Sequence, residues 1–139
     1  MRSVRVADGD RRAATVRELM STSVVSTTST TPLVDAAAAM VRERVGSAVV
    51  LQGSFLVGIL TERDVLKAVA SGADPTTAPV AEWMTSDPQS APPETSVEDA
   101  AKIMFLNGFR HLPIVEGRHV CGVVSLRELF AARINRPTK

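Results

Sequence analysis

The spacing of hydrophobic positions changes along the chain, and each change of period marks a predicted element. From Leu33 to Val41, apolar residues recur three and four positions apart, which is typical of one face of a helix. Ala48 to Leu51 and Leu56 to Leu60 are short apolar runs around a polar turn with a glycine, which predicts two paired strands. A brief extended segment precedes the first helix, and a second helix is predicted after Thr61. The predicted order is therefore β-α-β-β-α.

The whole pattern then returns at a constant distance. Val16–Ser21 reappears as Val80–Thr85, 64 positions later, and Gly58 reappears as Gly122 at the same offset. The first helix has Thr31 as its predicted N-cap, and its counterpart in the second copy has a predicted capping box at Thr95–Glu98 and a predicted stop at Gly108. Self-similarity at a fixed period indicates repeated supersecondary units. The sequence therefore predicts an α/β (α+β) fold made of two β-α-β-β-α repeats. The predicted bounds are an N-terminal tail at 1–15, repeats at 16–71 and 80–132, a linker at 72–79 and a C-terminal tail at 133–139.

Each repeat is too small to bury a sheet by itself, because a unit of about 55 residues is marginally stable. We therefore expect the two sheets to pack against each other about a pseudo-two-fold axis. Such packing leaves clefts between the repeats, where small ligands commonly bind.

Charge and composition narrow the class of protein. The chain has 139 residues and a net charge of +1, which gives no general attraction to nucleic acid or to a membrane. No apolar run approaches the ~20 residues of a membrane span, and residues 1–15 contain no secretory signal, so we expect a cytoplasmic protein. The basic residues near the two ends are interpreted as solvated tails, with nucleic-acid binding as a lower-ranked hypothesis. They are Arg2, Arg5, Arg11, Arg12, Arg133, Arg136 and Lys139.

The sharpest local motif is Gly58–Asp64, in which a strand ends in Thr61 and a carboxylate follows three residues later at Asp64. A helix amino end with a hydroxyl and a carboxylate can hold a phosphate and sugar hydroxyls. The same spacing also forms a capping box, which does no more than start a helix. Ser125 and Glu128 repeat the spacing in the second copy, where the capping interpretation is stronger.

Other reactive residues offer little support for catalysis or metal binding. His119 and Cys121 share one strand face, but a zinc site needs further ligands that the sequence does not supply. Cys121, the only cysteine, has no evident activating group and excludes an internal disulfide. Trp83 is expected at a repeat or subunit interface. Without a nucleophile–base pair or a metal constellation, we expect no enzyme activity and no required cofactor.

Three duplicated motifs together resemble a tandem pair of cystathionine-β-synthase (CBS) domains, known as a Bateman module. The repeat starts Met20-Ser21 and Met84-Thr85, the strand–helix motif Gly58–Asp64 and the junction Gly108–Val115 carry the resemblance, which covers about residues 16–132. It implies binding of an adenosine-containing ligand, such as AMP, ADP, ATP or S-adenosylmethionine, in a cleft between the repeats. The ligand-binding residues it implies are Val24, Val25, Thr61, Arg63, Asp64, Arg110 and His111.

By this resemblance Asp64 would hold the ribose hydroxyls, Thr61 the ribose or phosphate, and the valines the adenine. Arg110 and His111 would come across the two-fold axis to the phosphates. Because the second copy has Glu128 at the ribose position, the site with Ser125 and Glu128 is expected to be weaker or empty. We thus expect one competent site.

The leading hypothesis is a regulatory module that senses this ligand and passes the signal to an unidentified partner protein by conformational change. The alternative is a structural dimerisation module with no physiological ligand, and slow catalysis on a nucleotide ranks last. The resemblance also implies a homodimer through the helices at Leu33–Arg44 and Val97–Asn107 and the helices that follow Thr61 and Ser125. Metal ions, nucleic acid and membranes are not expected as partners.

Overall fold

A computed structural model describes residues 14–134, which form two β-α-β-β-α repeats in the predicted order. The first repeat contains β1 (Ser26–Thr27), α1 (Leu33–Glu43), β2 (Ser47–Gln52), β3 (Phe55–Thr61) and α2 (Glu62–Ala70). The second contains β4 (Thr85–Ser86), α3 (Val97–Asn107), β5 (His111–Glu116), β6 (His119–Ser125) and α4 (Leu126–Ile134). A 3₁₀ turn precedes each repeat, at Val16–Glu18 and Val80–Glu82.

The compact units of the molecule do not coincide with these repeats. One unit, here called the α1–α2 unit, comprises residues 23–89 and 117–120. The other, the α3–α4 unit, comprises the described residues 14–22, 90–116 and 121–134. The leading segments of the repeats, Val16–Ser21 and Val80–Thr85, therefore each fold into the unit built mainly from the other repeat.

The α1–α2 unit has a four-stranded sheet in the order β1-β2-β3-β4. β1 runs parallel to β2, and the other neighbours are antiparallel, with Ser47 opposite Thr61 and Ile59 opposite Thr85. One face of this sheet packs with α1 and α2. The core residues are Val25, Leu33, Ala36, Met40, Ala48, Val50, Leu60, Ala68 and Val80.

The α3–α4 unit repeats these pairings at the offset of 64 positions. β5 pairs with β6, Ala91 bridges Ile114 in parallel, and Ser21 bridges Val123 in antiparallel orientation. These bridges match Thr27 opposite Val50, and Thr85 opposite Ile59, in the α1–α2 unit. The core residues are Val16, Ala91, Val97, Ala100, Met104, Leu112, Ile114, Val124 and Leu129.

A glycine in each unit lets the methionine of a leading segment lie directly on a strand. A Cβ added at Gly58 would lie 2.5 Å from Met84 Sδ, and one added at Gly122 would lie 2.6 Å from Met20 Sδ. Contacts that short do not occur, so a side chain at either position would force the methionine side chain or the segment itself to shift. The duplicated glycine thus fixes how each leading segment docks.

Two helices begin one residue later than predicted, and one helix ends at the predicted glycine. Helix α1 begins at Leu33 after Pro32, one residue later than the Thr31 cap predicted, and the Leu33 amide donates to the Ala78 carbonyl at 2.9 Å. In α3 the Asp99 amide donates to Ser96 Oγ at 3.0 Å, so the cap lies one residue beyond the predicted Thr95. Gly108 ends α3 with φ 75°, as predicted.

Candidate ligand-binding site

One edge of the sheet in the α1–α2 unit gathers the predicted polar residues. Ser47 begins β2 directly opposite Thr61, which ends β3, and α2 starts at the next residue. Val24 lies two residues before Ser26, which pairs with Val49, so the parallel register brings Val24 to the level of Ser47. Val24, Ser47, Thr61 and the first turn of α2 together are called the Ser47–Thr61 edge below.

Thr61 and Asp64 form a capping box, with bonds in both directions. Asp64 Oδ2 accepts from the Thr61 amide at 2.8 Å and from the Thr61 hydroxyl at 3.0 Å, while the Asp64 amide donates to Thr61 Oγ1 at 3.3 Å. All of these carboxylate bonds end on Oδ2, and Oδ1 makes no hydrogen bond within residues 14–134. The capping and ligand-binding interpretations are therefore compatible, because the cap orients the carboxylate and leaves one oxygen to accept from a ligand.

Ser47 is a polar residue of this edge that the sequence analysis did not select. It is 6% exposed and is the only polar side chain buried in the described part of the chain. Opposite residues of an antiparallel pair share a face, so its hydroxyl lies beside Thr61. That hydroxyl makes no hydrogen bond within residues 14–134 and remains available to a ligand. The first position of a buried strand opposite the Thr61 motif was the signal that could have identified it.

The other predicted residues of the first copy differ in exposure. Val25 is 8% exposed and packs in the core, and its carbonyl accepts from the Val49 amide at 2.9 Å. Val24 is half-buried, and Arg63 is exposed on the first turn of α2. Val24 is thus better placed than Val25 to present an apolar surface to a ligand.

The second-copy candidates all lie in the α3–α4 unit. The Ser125 amide donates to Glu128 Oε1 at 2.8 Å and the Glu128 amide donates to Ser125 Oγ at 3.1 Å, so these residues cap α4. The Leu126 amide donates to the Arg110 carbonyl at 2.9 Å, which brings Arg110 and the half-buried His111 to the start of the same helix. That Arg110 and His111 serve the ligand at Asp64 stays a prediction.

The remaining reactive residues form no second constellation in the described chain. No group of three potential metal-ligating side chains occurs within residues 14–134. Cys121 is half-buried, with Sγ 3.4 Å from the Ile114 carbonyl oxygen. None of the helices formed within residues 14–134 has both the length and the apolar character of a membrane span. The arginines at 2, 5, 11, 12 and 136 and Lys139 lie outside the described residues.

Comparison with known proteins agrees with the duplicated fold. The family model of the CBS domain matches twice, at residues 16–71 and 80–135. An uncharacterized 17.7 kDa protein of Acidianus ambivalens is 38% identical over 88% of this chain and 75% of its own length. The CBS-domain containing protein ATU1752 from Agrobacterium tumefaciens superposes with TM-score 0.81 at 28% identity, covering 89% of this chain and 96% of that chain.

A further solved structure contains a ligand. The CBS domain protein PAE2072 from Pyrobaculum aerophilum, complexed with AMP, has TM-score 0.75 and 29% identity, covering 82% of this chain and 88% of that chain. The likeness therefore extends to a protein that binds an adenosine nucleotide.

Proposed function

Since the chain belongs to the CBS-domain family and carries two copies of the domain, we propose that it is a regulatory module that binds an adenosine-containing ligand. AMP is the first candidate, because a related CBS-domain structure is complexed with it. ADP, ATP and S-adenosylmethionine share the adenosine group and belong in the same test. The observation that carries the proposal is the set of unused hydrogen-bonding groups at the Ser47–Thr61 edge.

Each group of this edge matches a different part of a nucleotide. The free Oδ1 of Asp64 can accept from ribose hydroxyls, which are donors that a carboxylate pairs with well. The hydroxyl of Ser47 and the amino end of α2 can hold a phosphate, because helix amino ends carry partial positive charge. Val24 offers an apolar surface for the adenine ring.

The second copy is a poorer candidate for the same ligand. Its carboxylate, Glu128, is one methylene longer than Asp64, and His111 stands where the first copy has Ser47. The cap between Ser125 and Glu128 forms nonetheless, so the copy keeps the structural role of the motif. We therefore place the competent site in the α1–α2 unit and assign Ser125 and Glu128 to a weaker one.

We assign no catalytic step to the chain. Thr61 and Asp64 bind each other and are suited to holding a ligand. Regulation would follow if the ligand binds two arrangements of the protein with different affinity, since that difference is the only free energy available to shift them. The regulated protein would then respond in the cytoplasm, where we place this module.

Exposed apolar residues on the helices support the second candidate function, a homodimeric scaffold. Val41 is 78% exposed on α1, Leu66 is 67% exposed on α2, and Phe105 is 80% exposed on α3. Exposed apolar patches commonly mark a protein interface, and each unit presents exposed apolar side chains on its helices. Dimerisation is compatible with ligand sensing, but alone it would need neither Asp64 nor Ser47.

Calorimetric titration with AMP, ADP, ATP and S-adenosylmethionine separates the two functions, with Asp64→Ala as the comparison. We expect saturable binding of one of the four ligands, near one site per chain, and its loss in Asp64→Ala. Folded protein that is free of copurified nucleotide, sediments as a dimer and binds none of the four would favour the scaffold and contradict the sensor.

A further inference from the structure

The hydrogen bonds at the start of α2 leave few main-chain groups for a ligand. The Glu62 amide, the first of the helix, donates to the Gly46 carbonyl at 3.0 Å. The Asp64 amide, the third, donates to Thr61 Oγ1 at 3.3 Å. The amide between them, that of Arg63, has no acceptor within residues 14–134. The amino end of α2 therefore offers one free main-chain donor among its first three amides.

The Thr61 hydroxyl does not add a second donor. Its only proton is donated to Asp64 Oδ2 at 3.0 Å, so Thr61 Oγ1 keeps only the capacity to accept. A phosphate group needs donors, whereas the hydroxyls of a ribose can donate to an acceptor. Of the two roles that the resemblance implies for Thr61, these bonds favour the ribose.

Two further donors lie at the same place. The Ser47 hydroxyl is buried without a hydrogen bond and shares a sheet face with Thr61. The bond between Thr61 Oγ1 and the Asp64 amide brings the first turn of α2 to that face. Arg63 is exposed on this turn, and its guanidinium has no ion pair within residues 14–134. The Ser47–Thr61 edge contains no other lysine or arginine.

This set of donors matches one phosphate group. Resting on the proposed function, we propose that Arg63 is the phosphate-binding residue of the site and that the ligand is a nucleoside monophosphate. Arg63 supplies its main-chain N–H and its guanidinium, and Ser47 supplies its hydroxyl, so each terminal oxygen of one phosphate has a donor. A second or third phosphate would find no further cation at the edge and would lie near the negative Glu62. The positive sulfonium of S-adenosylmethionine, at the ribose 5′ position, would be repelled by Arg63.

Calorimetric titration of Arg63→Gln with adenosine and AMP tests the assignment, because the two ligands differ only in the phosphate. The unchanged protein should bind AMP at least about tenfold more tightly than adenosine, and ATP no more tightly than AMP. Arg63→Gln should remove most of the difference between AMP and adenosine and leave the affinity for adenosine unchanged. Arg127→Gln is the matched control, since Arg127 is the exposed counterpart of Arg63 on α4, and it should change neither affinity.

S-adenosylmethionine should respond with the opposite sign. Arg63→Gln should bind it about threefold more tightly than the unchanged protein does, because one exposed repulsive contact is removed. Equal weakening of AMP and adenosine in Arg63→Gln, or an unchanged ratio of their affinities, would overturn the inference. So would tighter binding of ATP or S-adenosylmethionine than of AMP by the unchanged protein, although the proposed function would then stand. If the unchanged protein binds none of adenosine, AMP, ADP, ATP and S-adenosylmethionine, both fail.

Discussion

The α1–α2 unit and the α3–α4 unit dock a leading segment through the same backbone contacts but hold it with different side chains. In both, a valine of the segment is fully buried, Val80 in one unit and Val16 in the other. The Val80 amide donates to the Thr31 carbonyl, and the Val16 amide donates to the Thr95 carbonyl, each at 2.9 Å. Residues 64 positions apart therefore make equivalent contacts in the two units.

Polar side chains reinforce the segment in the α3–α4 unit only. Glu18 Oε1 accepts from the amides of Ala14 and Thr15 at 2.7 and 3.1 Å. The Arg17 guanidinium forms a salt bridge with the Glu94 carboxylate, with 2.8 Å between Nη2 and Oε2. The corresponding residues of the α1–α2 unit cannot do this. Pro79 has no amide hydrogen where Thr15 has one, and Ala81 replaces Arg17.

The α1–α2 unit instead keeps polar groups unpaired, at Ser47, at the indole of Trp83 and at one oxygen of Asp64. In the α3–α4 unit, the comparable positions hold His111, Leu19 and Glu128. The two units thus share the contacts that fix the fold and differ in the polar side chains at these positions. One unit has polar bonds that stabilise docking, and the other has polar groups at the Ser47–Thr61 edge available for a ligand.

The largest change in the free energy of unfolding is expected when a Cβ atom is added at Gly58 or Gly122. Gly58→Ala and Gly122→Ala should each destabilise the protein by ~1–3 kcal/mol, because the added methyl group overpacks against the methionine side chain and the backbone of the segment. Gly122→Ala should cost more, since its Cβ would lie 2.9 Å from the Ser21 carbonyl oxygen, against 3.1 Å from that of Thr85 for Gly58→Ala. Urea unfolding measures both, and a cost near zero at either glycine would contradict the docking geometry.

A smaller change in the free energy of unfolding is expected from substitutions at the ends of α1 and α3, where the two copies differ. Arg44 ends α1 in the left-handed region with φ 59°, at the position where Gly108 ends α3. A non-glycine residue there costs roughly 1 kcal/mol, so Arg44→Gly should stabilise by about half of that after the entropy of the unfolded chain is included. Gly108→Arg should destabilise by ~1 kcal/mol in the same unfolding assay. The two substitutions should change the free energy of unfolding in opposite directions. Changes in the same direction would contradict the equivalence of Arg44 and Gly108.

The smallest effect is a pH-dependent change in melting temperature, expected at Glu18 and not at its counterpart Glu82. The amides of Thr15 and Ala14 donate to the Glu18 carboxylate and lower its pKa. A lowered pKa in the folded state stabilises the protein above the ordinary glutamate pKa, and this contribution is lost as the pH falls through the lowered value. Glu18→Gln should therefore reduce the melting temperature at pH 7 and should converge with the unchanged protein in acid.

Glu82→Gln is the matched control for that experiment. Glu82 follows Pro79, which has no amide hydrogen to donate, so its substitution should leave the melting temperature unchanged across the same pH series. An equal effect of the two substitutions would show that the cap at Glu18 does not distinguish the units.

The sequence predicts the repeats, the element order and the Thr61–Asp64 motif, because each depends on local periodicity or on residues a few positions apart. The exchange of leading segments could not be predicted, since identical contacts can form within a repeat or between repeats. Neighbouring hydroxyl residues, such as Thr95 and Ser96, are equally good caps, which explains the shift by one residue. Ser47 was missed because a serine beside a strand is usually solvated, and only the register shows it buried opposite Thr61.

The most direct test of the account is an AMP titration of Asp64→Asn beside Glu128→Gln, each of which removes one charge and keeps the side-chain shape. With a single competent site at the Ser47–Thr61 edge, Asp64→Asn should weaken AMP binding by at least about tenfold, the value of one charge-assisted hydrogen bond. Glu128→Gln should leave both the affinity and the stoichiometry near one site per chain unchanged. Equal losses in the two variants, or a loss only in Glu128→Gln, would contradict the assignment of the site to the α1–α2 unit.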